Sequence, residues 1–68
     1  MRAAAVSTPT ARELEVLRVY VEKKGSRKAT GDALGLSPNT VHVHVQSAYA
    51  KIGVDCLIDA AEWLRVKA

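Results

Sequence analysis

The sequence predicts an all-α domain of four helices, and three observations carry that prediction. Of its 68 residues 49% are hydrophobic, yet only Tyr20, Tyr49 and Trp63 are aromatic, so the core must be built from Val, Leu, Ile and Ala. Small aliphatic side chains of this kind suit closely packed helices. Apolar residues recur mainly at spacings of three and four, which is the period of a helix face. Capping residues and glycines then divide the chain into four stretches of helical length. A chain this short buries only about 60% of the surface it would expose unfolded, which leaves little room for an enzyme cleft. Residues 1–9 read as a flexible N-terminal segment and residues 10–68 as one domain.

The first helix is predicted to start at Ala11. Thr10-Ala-Arg-Glu13 is a capping box, in which the Thr10 hydroxyl meets the Glu13 amide and the Glu13 carboxylate returns to the Thr10 amide, while Pro9 fixes the approach. Leu14, Val16, Leu17, Tyr20 and Val21 form its apolar face. The pattern ends in Lys23-Lys24-Gly25, where basic residues suit a helix C-terminus and the glycine closes it. Ser26 caps a short second helix running to about Leu34, and Gly35 punctuates. Leu36-Ser37-Pro38 opens the third helix, with Ser37 as N-cap and Pro38 at the first helical position, where its missing N–H costs nothing.

That third helix contains Asn39-Thr-Val-His-Val-His-Val-Gln46, whose strict alternation would suit a strand carrying two histidines on one face. The Ser-Pro start and the lack of a second strand-like run favour the helix. On a helix, Val41, Val45, Ala48 and Ile52 fall on one stripe, and the other side carries Asn39, His42, Val43, Gln46, Ser47 and Ala50. His42 and His44 then stand about 200° apart around the axis, so they share no metal, since helical chelation needs a spacing of four. No metal or cofactor is expected. A fourth helix is predicted to begin near Asp55, a candidate N-cap, and to run through Leu57, Ile58, Ala61, Trp63 and Leu64.

Between the second and third helices the spacing is that of a helix-turn-helix. Two helices that approach closely across a short turn need a small residue about four positions before the turn glycine, and apolar residues flanking the turn. Gly31 and Gly35 meet the first need, and Leu34, Leu36 and Val41 the second. Around this unit the charge is one-sided. Lys23, Lys24, Arg27, Lys28 and Lys51 face a single acid, Asp32, between residues 23 and 54, so that window carries +4 while the remainder of the chain nets −1. A positive field of this kind suits a polyanion, although a plain solvated basic face would look the same by charge alone.

Other classes recede. No nucleophile, base and orienting group converge on one face, so an enzyme is not expected. Cys56 is the one cysteine, which excludes an internal disulfide and a Cys-rich zinc site and fits a reducing interior. No run approaches the roughly 20 apolar residues of a membrane span, and Met-Arg-Ala-Ala-Ala-Val-Ser7 lacks the apolar run of a signal peptide. A cytoplasmic protein without a membrane partner is expected.

Thr10-Ala-Arg-Glu-Leu-Glu-Val-Leu17, Leu34-Gly-Leu-Ser37, Thr40-Val-His-Val-His44 and Lys51-Ile-Gly-Val54 occur in this order, and together they resemble the landmarks of the LuxR/GerE-type helix-turn-helix domain of bacterial transcription factors. The resemblance runs from Thr10 to about Leu64. It implies a LuxR-type member of the winged-helix-like superfamily without a wing, with the third helix, about residues 38–52, in the DNA major groove. It further implies phosphate contacts at Thr40 and Lys51, base contacts at His42, Val43 and Gln46, and a fourth helix that often mediates dimerisation. The chain would then be a DNA-binding transcriptional regulator of the nucleoid, or the C-terminal domain excised from one.

The chain departs from the family pattern at several positions. His42, of a residue type largely neutral at pH 7, stands where a basic residue is usual, and Gln46 also replaces a frequently basic one. Ala29, Thr30, Gly31 and Leu57 replace a common Glu, an Ile-like residue, Ala and Arg, and the link between the first two helices is one residue longer. With fewer cations on the third helix, Ser26, Arg27, Lys28, Thr40, Ser47 and Lys51 form the expected phosphate-binding set. The chemistry of the outer face also suits base reading. Gln46 and Asn39 can bond bidentately to adenine, His42 can donate or accept, and Val43 can pack on a thymine methyl, which favours A·T-containing half-sites. For Gln46 and Ser47 the plain alternative is solvated polar surface, and His44, beside the core stripe, reads as structural.

Apolar residues of the fourth helix cover more than one face. Leu57, Ile58, Ala61 and Leu64 are therefore the expected interface of a two-fold dimer, placing two reading helices ~34 Å apart, although Trp63 and Leu64 could equally cap the monomer core. RNA polymerase is carried as a further candidate partner. Two alternatives stand beside the regulator: a module resembling sigma factor region 4, and a protein-interaction module that kept the fold.

Overall fold

A computed structural model describes residues 8–67 of the chain and contains four helices: α1 (Ala11–Glu22), α2 (Arg27–Leu34), α3 (Pro38–Ile52) and α4 (Leu57–Lys67). There is no strand among the described residues, which decides the strand-or-helix question for residues 39–46. The expected flexible N-terminal segment lies mostly outside the described residues; at its end, Pro9 is buried. Helix α3 packs against both α1 and α2, and α4 lies along α1, so α3 and α4 each rest on α1.

The capping box forms as its residues require. The Glu13 amide donates to Thr10 Oγ1 at 3.1 Å and the Thr10 amide donates to Glu13 Oε1 at 2.9 Å. At the other end of α1 the closure differs from the expectation in one respect. Lys24, not Gly25, is the first left-handed residue, with φ 57°, and Gly25 follows at φ 83°. The Gly25 amide donates to the Tyr20 carbonyl at 2.9 Å and the Lys24 amide to the Val21 carbonyl at 3.0 Å, so the last carbonyls of α1 are paired in the paperclip pattern of a Schellman turn. Two consecutive left-handed residues thus make the turn out of α1.

Ser26 accepts from the Ala29 amide at 3.0 Å and starts α2, and Gly35, at φ 73°, ends it. Between them Gly31 is the contact that brings the two helices together. A Cβ atom at Gly31 would stand 2.3 Å from the Leu36 carbonyl oxygen, so only a residue without a side chain fits. The Leu36 amide in turn donates to the Gly31 carbonyl at 2.9 Å. Ser37 then caps α3, accepting from the Thr40 amide at 3.1 Å, with Pro38 at the first helical position.

Val16 and Leu17 of α1, Val41, Val45, Ala48 and Tyr49 of α3, and Ala60 of α4 form the buried core. The expected stripe of α3 is therefore present, with Ile52 partly buried at its end. Tyr49 widens it: one residue beyond Ala48 and four beyond Val45, it lies on the flank of the stripe and brings the only aromatic ring into the core cluster.

The cap of helix α4 lies one residue later than expected. Asp55 is exposed and outside the helix, while the Cys56 carbonyl accepts from the Ala60 amide at 3.0 Å, so Cys56 holds the cap position. Leu64 packs against the core, and Leu57 lies at the α1–α2 turn, its Cδ2 3.2 Å from where a Gly25 Cβ would be.

Candidate nucleic-acid interface

Helix α3 has two unlike sides. Inward, Val41, Val45 and Ala48 are fully or almost fully buried. Outward, Asn39 and Gln46 are exposed and Val43 is 57% exposed, while His42 is half-buried. An exposed branched aliphatic residue between two primary amides has no core to serve. The helix carries no acidic residue from Pro38 to Ile52. His44 is half-buried beside the core stripe.

The residues expected at phosphates differ in what they still have to offer. Ser26 Oγ accepts from the Ala29 amide and keeps its own proton, and Thr40 Oγ1 accepts from Ser37 Oγ at 2.9 Å and likewise keeps its proton. Arg27 is exposed at the start of α2, and Lys28 makes only an exposed pair with Asp32 at 3.2 Å, of the kind worth little in water. Ser47 and Lys51 are placed otherwise. The Ser47 hydroxyl donates to Glu13 Oε2 at 2.6 Å, which commits its one proton, and Lys51 Nζ bonds Glu13 Oε1 at 2.8 Å. Ser47, expected among the outward residues of α3, is thus half-buried against α1.

Glu13 is the residue whose link to α3 sequence reasoning did not find. It is 8% exposed and accepts from three groups: the Thr10 amide, Ser47 and Lys51. Those bonds hold its pKa down at about 2, the Lys51 ammonium most, then the Ser47 hydroxyl and the Thr10 amide, against the opposing effect of burial. Its capping role was legible, but its partners on α3 are 34 and 38 residues away and share no local pattern with it.

On α4 the four residues expected at a dimer interface are not alike. Ile58 is 79% exposed, Ala61 and Leu57 are half-buried, and Leu64 is packed against the core. Val66 adds a second exposed apolar residue at 64% and lines, with Val54, Asp59, Glu62 and Trp63, an open groove of about 340 Å³. Among the described residues, the metal-ligand types that come together are Asp55, Cys56 and Asp59, all exposed, and neither histidine is with them. No helix among the described residues is long and apolar enough to cross a membrane.

Four helices joined by a glycine-tight turn, with an outward face of amides and a basic flank, are the parts of a DNA-binding helix-turn-helix. No curated protein and no solved structure matches the chain. The family model described as GerE, bacterial regulatory proteins of the luxR family, matches residues 8–64, nearly the whole of it. GerE-type domains bind DNA and regulate transcription rather than catalyse a reaction, and the chain belongs to the luxR family of bacterial regulatory proteins.

Proposed function

We propose that the domain reads a specific double-stranded DNA site, with α3 in the major groove and Asn39, His42, Val43 and Gln46 at the base edges. The observation that carries this reading is the outer side of α3, where two primary amides and a valine 57% exposed stand on a helix without acids. Gln46 and Asn39 offer the paired donor and acceptor that adenine presents in the major groove, and Val43 offers a methyl surface for thymine. The preferred half-site is therefore rich in A·T pairs. Ser26, Arg27, Lys28 and Thr40 meet phosphates, and Lys51 adds the two N–H groups it does not spend on Glu13. Ser47, its proton already given, serves through Glu13 and not through a phosphate.

Two copies bind together through α4, with Ile58 at the centre of the contact, Ala61 beside it and Leu57 and Leu64 supporting the surface from below. An exposed isoleucine on a terminal helix of so small a body supports this arrangement. Such a regulator works at the bacterial nucleoid in the cytoplasm, where RNA polymerase is the machinery it would influence.

Selection of bound sites from a random duplex pool, followed by titration at several salt concentrations, tests the reading. The expected result is a site of two A·T-containing half-sites about one DNA turn apart. With two or three cationic contacts per domain, log affinity should fall against log salt with a slope of about −2 to −3 per domain. Absence of binding even at low salt would leave the fold to a protein-interaction role. A single half-site bound by a monomer would remove the dimer.

A further inference from the structure

We propose that Glu13 is the positioning residue of the reading helix: by holding Ser47 and Lys51, it fixes the rotation of α3 about its own axis and so decides which side chains reach the bases. The proposal rests on the reading of α3 as the DNA-reading element.

The geometry supports it at three points. Glu13 is itself held in place: it lies in the first turn of α1, is 8% exposed, and shares a reciprocal pair of bonds with Thr10. It grips α3 at two places, Ser47 at 2.6 Å and Lys51 at 2.8 Å, which are one helical turn apart on the same side. Each grip opposes rolling of the helix, and two of them one turn apart also prevent it from swivelling about a single point of contact. The apolar side of α3 supplies less resistance. Burial of Val41, Val45, Ala48 and Tyr49 is non-directional, so it holds the helix close to the core without tying any one atom to a fixed partner.

A small roll matters to the outer side. Side-chain tips lie about 5–6 Å from a helix axis, so a roll of about 20° moves them by roughly 2 Å. That is enough to break a hydrogen bond to a base edge. Gln46 directly precedes Ser47, and Val43 and Ser47 are four apart, so the gripped residues follow directly on the last two reading residues along the helix. The carboxylate also neutralises Lys51, the one cation on α3. Loss of Glu13 therefore has opposite effects on the two kinds of binding: it loosens the reading residues and frees a lysine for any phosphate.

Glu13→Gln keeps the size of the side chain and an acceptor for the Thr10 amide, and removes the charge that holds Lys51. Its affinity is measured on a duplex selected by the wild-type protein and on a scrambled duplex, each at several salt concentrations. The expected result is about a ten-fold fall on the selected duplex with equal or tighter binding to the scrambled one. The salt slope on the scrambled duplex should steepen by about 0.9, because the Lys51 charge is no longer offset by a carboxylate. A merely structural role would lower stability and leave the ratio of the two affinities in the folded protein unchanged; a ratio within two-fold of wild type overturns the proposal. Should Glu13→Gln fail to fold, Ser47→Ala removes one grip and keeps the ion pair, and an unchanged ratio there overturns it equally. Should the wild-type protein not discriminate between duplexes, the DNA reading itself falls. The positioning of α3 is then judged by backbone amide resonances: shifts from Asn39 to Lys51 in Glu13→Gln support it, and shifts confined to α1 overturn it.

Discussion

The two ends of α3 are fixed by different physics. At its N-terminal end the helix is placed by backbone against backbone: Gly31 lies so near the Leu36 carbonyl that a methyl group would come within 2.3 Å of it. At its C-terminal end the helix is placed by side chains, through the Glu13 carboxylate and its bonds to Ser47 and Lys51. The first contact is short-ranged and steric, so it tolerates no added atom and ignores pH. The second is electrostatic, so it can be weakened by degrees and depends on protonation. A helix held in this way has one end that only a fold-breaking change can move and one end that can be tuned.

The steric end gives the largest expected effect. Gly31→Ala in an ordinary helix interior would gain about 1 kcal/mol from propensity. Here the added Cβ meets a backbone oxygen with no flexible side chain to give way, and the turn must open. A net loss of roughly 2–4 kcal/mol is expected, a large part of the few kcal/mol a core of this size supplies. Urea unfolding reads it as a lowered midpoint at constant slope. A variant as stable as the wild type would mean that the approach at Gly31 is not what holds the turn.

The electrostatic end should reveal itself in acid. The Glu13 pKa is lowered from 4.5 to about 2, chiefly by the Lys51 ammonium, then by Ser47 and Thr10. A carboxyl depressed in the folded state contributes stability that is present above its unfolded value and is lost as pH falls through the folded one. The contribution should therefore fade between about pH 4.5 and about pH 2, by on the order of 3 kcal/mol. Unfolding followed across that window should show the loss in the wild type and a flatter profile in Glu13→Gln. An identical profile in both would remove the ion network as a support of α3.

This contrast also separates what the sequence could say from what it could not. The steric end is local. Gly31, Gly35, Ser37 and Pro38 lie within eight residues, and each announces its part by type and spacing, so the turn and the start of α3 follow from the sequence. The electrostatic end is not local. Glu13 is 34 residues from Ser47, and its place in the capping box already explains why a glutamate stands there, so nothing asks for a second role. Ser47 was assigned outward for the same reason, because its partner lies on another helix. The start of α4 illustrates a related limit: Asp55 is the better capping residue by type, but the cap position falls to Cys56. At the end of α1 the closing glycine is legible in the sequence, but not that Lys24 takes the left-handed position ahead of it.

Between the two ends lie the residues proposed to read bases, and substitutions there sharpen the comparison. Gln46→Ala leaves both supports intact. It should cost about 1–2 kcal/mol at one base position and little at the others. Arg27→Ala, at the start of α2, should weaken all sites alike and reduce the salt slope by about one. Competition binding over a panel of single-base variants of the selected site distinguishes the two patterns. A uniform loss in Gln46→Ala would place that side chain at the backbone of the DNA and not at a base.

The smallest expected effect lies in the link before α2, which supports neither end of α3 directly. Lys24 is exposed and has φ 57°, a conformation that costs an L-residue with a Cβ roughly 1 kcal/mol and costs glycine almost nothing. Lys24→Gly removes that strain but also makes the unfolded chain more flexible, so the net gain should be about 0.5 kcal/mol. In a domain of this size that is a rise in Tm of about 2–4 °C. The removed cation should lower affinity for every duplex equally. The ratio of specific to scrambled binding should stay where it was, as should the acid profile set by Glu13. A shift of either with Lys24→Gly would mean that the α1–α2 link bears on the seating of α3, and that its two ends are not held independently.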